Sequence, residues 1–200
     1  MGTRNMTVVI KDNNLKLSQY GQWDGYYSCT GKKFLEFCRE NLAEGTYGRN
    51  SFPEKIDLCK QVTEDFDKFM DKTIAEYGHE NSKEFGIPFS ILFPQMSRNT
   101  GVRILNIIDS LASYEFDEGQ FYPIQIMQED GWDIEYVNII DLDNNMVYML
   151  TSHRFNGEVQ ETTDLVKEHF TYNKCYLKFS LDEIPPEEVV DKKVKELGLD

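Results

Sequence analysis

The alternation of apolar and polar residues predicts several short β-strands, most of them grouped in hairpins. Two polar turns, Asp12-Asn13-Asn14 and Asp141-Leu142-Asp143-Asn144-Asn145, each separate a pair of runs rich in β-branched and apolar residues. Runs that flank a short polar turn pair with each other in antiparallel fashion, so we expect one hairpin at each turn. The predicted strands are 7–10, 15–20, 121–128, 134–140, 146–151 and 176–180.

Apolar residues that recur at steps of three and four predict the helices. These are 31–43, 53–77, 101–112, 160–170 and a C-terminal helix after Pro185-Pro186. We expect Thr30 to cap the first helix and the capping box Ser51-Phe52-Pro53-Glu54 to begin the second. Since the strands cluster in hairpins rather than in βαβ units, we predict an α+β fold of antiparallel hairpins packed with amphipathic helices, in one domain over residues 1–200.

The length and the charge of the chain narrow its class. Two hundred residues are enough for a substantial core, and 13% of them are aromatic. The formal net charge of −14 excludes extended binding to nucleic acid, which needs clustered lysine and arginine residues. No apolar run reaches the ~18 residues of a membrane span, and the four cysteines lack metal-type spacing. We therefore expect a cytoplasmic protein with reduced thiols and no membrane partner.

A glycine-punctuated loop is the most distinctive stretch of the sequence. Gln19-Tyr20-Gly21-Gln22-Trp23-Asp24-Gly25-Tyr26-Tyr27 combines four aromatic rings, two amides and a carboxylate in nine residues. Aromatic faces give apolar contact area and the polar groups give directional hydrogen bonds, a mixture typical of small-ligand recognition. A second interpretation makes Trp23 and Tyr20 anchors that hold the loop on the core. Gly21 and Gly25 are expected to serve backbone conformations with positive φ.

A second polar segment, Ser97-Arg98-Asn99-Thr100-Gly101, leads directly into a predicted helix. Backbone N–H groups at a helix start, together with the Ser97 hydroxyl and the Arg98 guanidinium, can bind an anion or a phosphate. The alternative is plain N-capping by Asn99 or Thr100, with Arg98 paired with one of the many carboxylates. The sequence leaves both interpretations open.

The N-terminal residues are predicted to meet the aromatic loop. The first hairpin would bring Arg4 close to the 20–24 region, where its side chain would contact an anion or pair with Asp24. We expect a polar and aromatic pocket that binds a small anionic or nucleotide-like ligand, with a base stacked on Trp23 or Tyr20. The predicted ligand-binding residues are Arg4, Tyr20, Gln22, Trp23, Asp24, Tyr26, Ser97 and Arg98.

The patterns that suggest metal binding do not fit on inspection. Asp141-x-Asp143-x-Asn145 begins like a calcium loop, but Met146 stands at the glycine position and Ser152 at the position of the terminal glutamate. The three histidines are isolated from ligand-spaced cysteines and acids. We therefore predict no metal site and no cofactor.

The N-terminal start and the aromatic loop together carry a resemblance. Met1-Gly2-Thr3-Arg4 and the QYGQWDGYY stretch resemble a family of largely uncharacterised bacterial and phage proteins with a GTRG-like start and a QYGQWDGYP-like loop. The segments 97–101 and 139–143 are similar to further blocks of that family. The chain departs from the pattern at Asn5, where the family usually has glycine, and at Tyr27, where it usually has proline. The resemblance implies a shared organisation and no particular activity. Combined with the predicted ligand pocket, the phage distribution of the family suggests a counter-defence protein that sequesters a host immune signal.

Gly2-Thr3 carries a second resemblance, to N-terminal-nucleophile hydrolases, whose proteasome-type members cut a Gly–Thr bond just before their first strand. This resemblance implies a layered sandwich fold in which the free amine of Thr3 acts as the base for its own hydroxyl. Cys29 is the other candidate nucleophile of a hydrolase. A third function class is an acidic module that binds a basic host protein. Whether the protein is an enzyme, and whether it forms an oligomer, is left open by the sequence.

Overall fold

The computed structural model of the protein describes residues 2–46, 48–59, 99–110 and 134–199. Hydrogen bonds join five strands in these ranges into one mixed sheet with the order β2-β1-β3-β4-β5. The strands are β1 (Asn5–Lys11), β2 (Asn14–Gly21), β3 (Tyr136–Asp141), β4 (Met146–Thr151) and β5 (Lys174–Ser180).

Helices connect β2 to β3 and β4 to β5, and one helix follows β5. Within the described residues, no helix combines the length and the apolar character that a membrane crossing requires. The helical segments are a π-helical turn (Tyr27–Gly31), α1 (Lys32–Asn41), α2 (Gly48–Leu58), α3 (Arg103–Ser110), α4 (Asp164–His169) and α5 (Glu187–Leu197).

A parallel pair of strands joins the two halves of the sheet. β1 and β2 form an antiparallel hairpin, and β3, β4 and β5 form an antiparallel meander. β1 and β3 run parallel, with Asn5 opposite Tyr136 and Ile10 opposite Asp141. A parallel pair needs a long crossover connection, and the chain from β2 to β3, which contains α1, α2 and α3, supplies it.

The sheet buries apolar side chains on both of its faces, because successive residues of a strand point to opposite faces. On one face, Val9 and Ile140 belong to a core cluster that also includes residues of α1, α2, α3 and α5. On the other face, Val8 and Val137 pack in a cluster with Val166 of α4. Because both faces of the sheet are covered, all six residues of β3 are buried, including Asn138 and Asp141.

The α+β class predicted from the sequence is confirmed by the mixed sheet and its helices. Both predicted hairpins form, and the strand predicted at 176–180 begins two residues earlier, at Lys174. The layered sandwich of the N-terminal-nucleophile hydrolases stays a prediction. The strand predicted at 121–128 and most of the helix predicted at 53–77 lie outside the described residues.

The start of α2 differs from the predicted one. The helix begins at Gly48, ahead of the capping box, so that Pro53 lies inside it. Tertiary packing supplies the reason, since Phe52 packs on Phe37 of α1 with 5.1 Å between the ring centroids. Such packing routinely outweighs local propensity. α5 begins as predicted, with Pro186 as its N-cap residue and two glutamates in its first turn.

Truncating one fully buried valine should destabilise the whole sheet. Val147→Ala removes two methyl groups from the face covered by the helices, and we expect a loss of about 2 kcal/mol in the free energy of unfolding. The matched control is Val159→Ala, because Val159 is half exposed and its truncation should change stability by less than about 0.5 kcal/mol. Urea unfolding followed by circular dichroism measures both values, and equal losses would contradict the packing described above.

Candidate functional site

Three segments that are far apart in sequence meet where β1 begins and β2 ends. Asn5 lies opposite Gly21 in the β1–β2 ladder, and its side-chain Nδ2 donates a hydrogen bond to the backbone oxygen of Trp23 at 3.0 Å. The indole Nε1 of Trp23 donates to Oδ1 of Asn99, also at 3.0 Å. These bonds bring the aromatic loop, the N-terminal residues and the segment before α3 together. We call this region, made of residues 3–5, 20–27 and 99–101, the loop surface.

The four aromatic rings of the loop divide into two buried and two exposed ones. Tyr20 and Tyr27 are 8% and 1% exposed and belong to the two core clusters. Trp23 and Tyr26 are 52% and 46% exposed. The two interpretations of the loop therefore apply to different rings: the buried tyrosines anchor it, whereas Trp23 and Tyr26 face solvent. The Tyr20 hydroxyl donates to Oε1 of Gln22 at 2.7 Å and so orients that amide.

Asp24 supplies the sharp bend of the loop. Its φ of 54° lies in the left-handed region, which aspartate tolerates better than most residues, and its side chain is exposed. The backbone oxygen of Asp24 accepts hydrogen bonds from the amide and the hydroxyl of Thr30, at 3.3 and 2.6 Å. The predicted capping role of Thr30 is wrong, because its hydroxyl closes the loop and α1 has Gly31 as its N-cap residue without a side-chain bond.

The loop glycines allow close approach of neighbouring groups. Gly21 and Gly25 do not have the positive φ expected from the sequence. A Cβ on Gly21 would lie 2.5 Å from Oδ1 of Asn5, and a Cβ on Gly2 would lie 2.4 Å from Cε3 of Trp23. A side chain at either position would force its neighbour to move. The absence of a side chain at Gly2 and Gly21 thus allows Asn5 and the Trp23 ring to occupy their observed positions.

Buried polar atoms lie on the sheet next to the loop surface. Oδ1 of Asn5, Oγ1 of Thr7 and Nδ2 of Asn138 are buried and have no hydrogen-bond partner among the described residues. Thr7 and Asn138 are opposite each other in the β1–β3 ladder, and Asn5 lies on the same face two residues earlier. Each such atom costs about 1–3 kcal/mol when unsatisfied. Groups of this kind are retained where water or a ligand completes their hydrogen bonds.

The structure brings three residues to the site that no sequence pattern had indicated: Tyr136, His153 and Glu135. The Tyr26 ring lies 6.0 Å from the ring of Tyr136, which lies 5.4 Å from the ring of His153. Oε1 of Glu135 accepts from the backbone N–H of Arg4 at 3.1 Å, and its Oε2 lies 3.2 Å from Nε2 of His153. Burial raises the pKa of Tyr136. These residues reach the loop surface through the parallel pairing of β1 with β3, which no local pattern indicates.

Of the three residues predicted to bind an anion, the structure describes Arg4 and not Ser97 or Arg98. Arg4 lies beside the loop as predicted, with its carbonyl oxygen 3.2 Å from the position that a Cβ on Gly25 would take. Ser97 and Arg98 lie outside the described residues. The helix that follows them begins at Arg103, whose N–H donates to the oxygen of Thr100 at 3.1 Å.

The two candidate nucleophiles lie at different depths. Thr3 is buried, and its backbone oxygen accepts from the N–H of Gly25 at 3.2 Å. Cys29 is exposed on the π-helical turn. Within the described residues, neither side chain hydrogen-bonds a histidine ring or a carboxylate. The same part of the chain contains no cluster of three or more histidine, cysteine or acidic side chains suited to a metal ion.

The acidic turn that begins like a calcium loop uses its carboxylates within the protein. Asp141 accepts from the backbone N–H and the side-chain Nδ2 of Asn144, at 3.0 and 2.9 Å. Asp143 accepts from the backbone N–H groups of Asp12 and Asn13, at 2.8 and 2.7 Å. These bonds tie the turn of the second hairpin to the turn of the first.

Comparisons of the chain with protein-family models, with curated proteins and with solved structures gave no match. The resemblances to the bacterial and phage proteins and to the N-terminal-nucleophile hydrolases therefore stay predictions. What the loop surface does has to be inferred from its own residues.

A polar cluster anchors the far end of the loop to α5. The Tyr27 hydroxyl donates to Oδ1 of Asp191 at 2.9 Å, and Nζ of Lys32 donates to Asp191 and Glu187 at 2.7 and 2.8 Å. The hydrogen bonds from Lys32 and Tyr27 hold the pKa of Asp191 below its usual range. Burial and the neighbouring carboxylate raise the pKa of Tyr27. The cluster therefore favours an ionised Asp191 and a neutral Tyr27.

The low pKa of Asp191 predicts a specific loss of stability in acid. An acid whose folded-state pKa is depressed stabilises the protein above its unfolded pKa, and this contribution disappears as the pH falls through the folded pKa. Asp191→Asn should therefore show a smaller fall in melting temperature than the wild type between about pH 5 and pH 2. Glu188→Gln, which removes an exposed acid from the same helix, should follow the wild-type curve. Parallel curves for Asp191→Asn and wild type would contradict the prediction.

Adding a single methyl group at Gly2 should displace Trp23, because the new Cβ would lie 2.4 Å from both the Gln22 oxygen and the indole ring. In a Trp132→Phe background, where Trp23 is the remaining tryptophan, we expect red-shifted emission and faster quenching by acrylamide. Gly45→Ala is the control, since its Cβ meets nothing within 4 Å but its φ of +84° strains alanine by about 1–2 kcal/mol. It should lower stability without changing emission. Unchanged emission in Gly2→Ala would refute the contact.

Proposed function

We propose that the protein binds a small anionic or nucleotide-like ligand at the loop surface without turning it over. The observation that carries the proposal is that Trp23 and Tyr26 are about half exposed although the backbone around them is tightly fixed. Aromatic side chains held in place at a surface offer contact area with little loss of rotamer freedom on binding. This is the property that a recognition surface needs.

Stacking would recognise the face of a base, and polar contacts would recognise its edge and the anionic group of the ligand. A base stacked on Trp23 would contribute about 1–3 kcal/mol, because every base has a π-face. Asp24 and Gln22 lie beside that ring and would accept or donate hydrogen bonds to the edge of the base. The anionic part of the ligand would pair with Arg4 and Arg98. In a chain with net charge −14, such local cations are what would attract an anion.

The biological role that we propose is sequestration of a signal molecule in a phage counter-defence context. It is supported by the resemblance of the N-terminal start and the aromatic loop to bacterial and phage sequences. Sequestration requires tight binding and no chemistry, which agrees with a surface made of aromatic rings, amides and the Arg4 side chain.

Native mass spectrometry of the freshly purified full chain tests whether a ligand is captured. Extra mass that disappears on denaturation would support the proposal, and the released molecule would identify its class. Bare chains would count against tight capture and would report the oligomeric state. Turnover of a phosphodiester or amide substrate that is lost in Thr3→Ala or Cys29→Ala would replace the proposal with a hydrolase. A co-purifying basic protein released by salt would replace it with an acidic interaction module.

Removing the indole ring should abolish most of the binding. For AMP titrated against the full chain, Trp23→Ala should lower the affinity by roughly five- to 150-fold, which corresponds to the loss of one stacked base. Tyr172→Ala is the matched control, because Tyr172 is an exposed aromatic residue outside the loop surface, and its affinity should equal that of the wild type. Isothermal titration measures the affinities, and circular dichroism confirms that both variants fold. Wild-type affinity in a folded Trp23→Ala would refute the proposal, and a Trp23→Ala that does not fold would make Trp23 an anchor.

A further inference from the structure

A second candidate site lies at the opposite end of β1. A cavity of about 230 Å³ opens at the end of β1, between the turn of the second hairpin and α2, and the residues that follow α1 and β5 also line it. β1 separates it from the loop surface by roughly 20 Å, since a strand rises about 3.3 Å per residue. The cavity therefore shares no residue with the loop surface, and it does not depend on the function proposed for that surface.

The topology of the sheet explains why a cavity forms there. After β1 the chain turns to β2 on one side, and after β3 it turns to β4 on the other side. Neighbouring parallel strands whose following connections diverge leave a crevice at their carboxyl ends, and ligands of open α/β sheets bind in such crevices. The β1–β3 pair shows the same divergence within the described part of the sheet, with hairpins in place of the helical crossovers of those sheets.

Arg49 on the wall of the cavity retains hydrogen-bond donors. Its contacts within the described residues are to the carbonyl oxygen of Leu42 at 2.6 Å and to Oδ1 of Asp182 at 3.0 Å, and both use Nη1. A guanidinium has five N–H donors, so Nη2 and Nε can still donate. The ion pair with Asp182 holds the side chain in position against the cavity.

Lys11 on the same wall is arranged in a similar way. Its Nζ forms an ion pair with Asp57 and donates to the carbonyl oxygen of Pro53 at 3.2 Å, which leaves a third N–H. The carboxylate of Asp143 also lines the cavity, and each of its oxygens accepts one backbone N–H group. Lys11 and Arg49 are thus the charged residues of the wall that offer N–H donors to a ligand.

We propose that this cavity binds a small organic anion whose oxyanion group lies between Lys11 and Arg49. The apolar part of the ligand would contact Leu42, Leu142 and Leu181, which line the cavity together with Pro53 and Asn145. The volume of about 230 Å³ corresponds to roughly eight water molecules, which favours a ligand with a short chain. A carboxylate and a phosphate monoester satisfy the same cations, so the chemical class is a short-chain alkyl carboxylate or phosphate.

The probes for this site are butyrate, butyl phosphate and butylammonium, titrated into the ¹⁵N-labelled full chain. We expect the amide signals of residues 142–145 to shift with either anion and not with butylammonium, and the tighter anion identifies the preferred head group. The amides of residues 23–25 report on the loop surface, so the two sites are read separately. Shifts with butylammonium, or no shift at 142–145 with either anion, would overturn the proposal.

Two variants that break the same ion pair separate binding from stability. Arg49→Gln and Asp182→Asn both remove the Arg49–Asp182 interaction, so both lose its contribution to folding. Arg49→Gln should weaken the binding of the preferred anion by about tenfold, whereas Asp182→Asn should strengthen it because the guanidinium is released from its carboxylate. Asp57→Asn should strengthen binding through Lys11 in the same way, and it keeps the test valid if Arg49→Gln does not fold. Equal affinities, or changes of the same sign for Arg49→Gln and Asp182→Asn, would overturn the proposal.

Discussion

The parallel pairing of β1 with β3 is the interaction on which both ends of the molecule depend. It joins the N-terminal hairpin to the β3–β4–β5 meander, which gives the described residues one continuous sheet. At one end of the pair it places Glu135 and Tyr136 beside the aromatic loop. At the other end it places the two hairpin turns side by side, where Asp143 accepts backbone N–H groups of the first turn. Loss of this pairing would remove the loop surface and the second cavity together.

The same ladder carries polar side chains where apolar ones would stabilise the fold. Thr7 and Asn138 face each other across β1 and β3, on the face that carries Val9 and Ile140 but also the buried polar residues Asn5 and Gln19. Burying a polar atom without a partner opposes folding by about 1–3 kcal/mol. Stability is therefore reduced at Thr7 and Asn138, which lie between the loop surface and the apolar pair Val9 and Ile140 on the same face. Natural folds tolerate such violations at functional or strained sites.

Rigidity of the loop surface comes from contacts that leave its exposed rings free to bind. The buried tyrosines and the Tyr27–Asp191–Lys32 cluster hold the two ends of the loop. Glycines then allow neighbouring groups to approach closely enough to fix the indole of Trp23. A ligand that stacks on that ring would find it already positioned, so that little conformational entropy would be lost on binding. Because the chain is acidic overall, the attraction for an anion would come from individual cations near the surface.

The sequence by itself determined the α+β class, both hairpins and the C-terminal helix, because period-two alternation, polar turns and a proline before two glutamates are local signals. It also predicted that Arg4 and the aromatic loop are neighbours, since a hairpin register decides that. Tertiary structure alone decided which loop rings are buried, why Gly21 and Gly25 are glycines and where α2 begins. It alone brought His153 to the loop surface and Arg49 to the second cavity. These features follow from the parallel pairing and from helix packing, which join residues distant in sequence and leave no periodic trace in it.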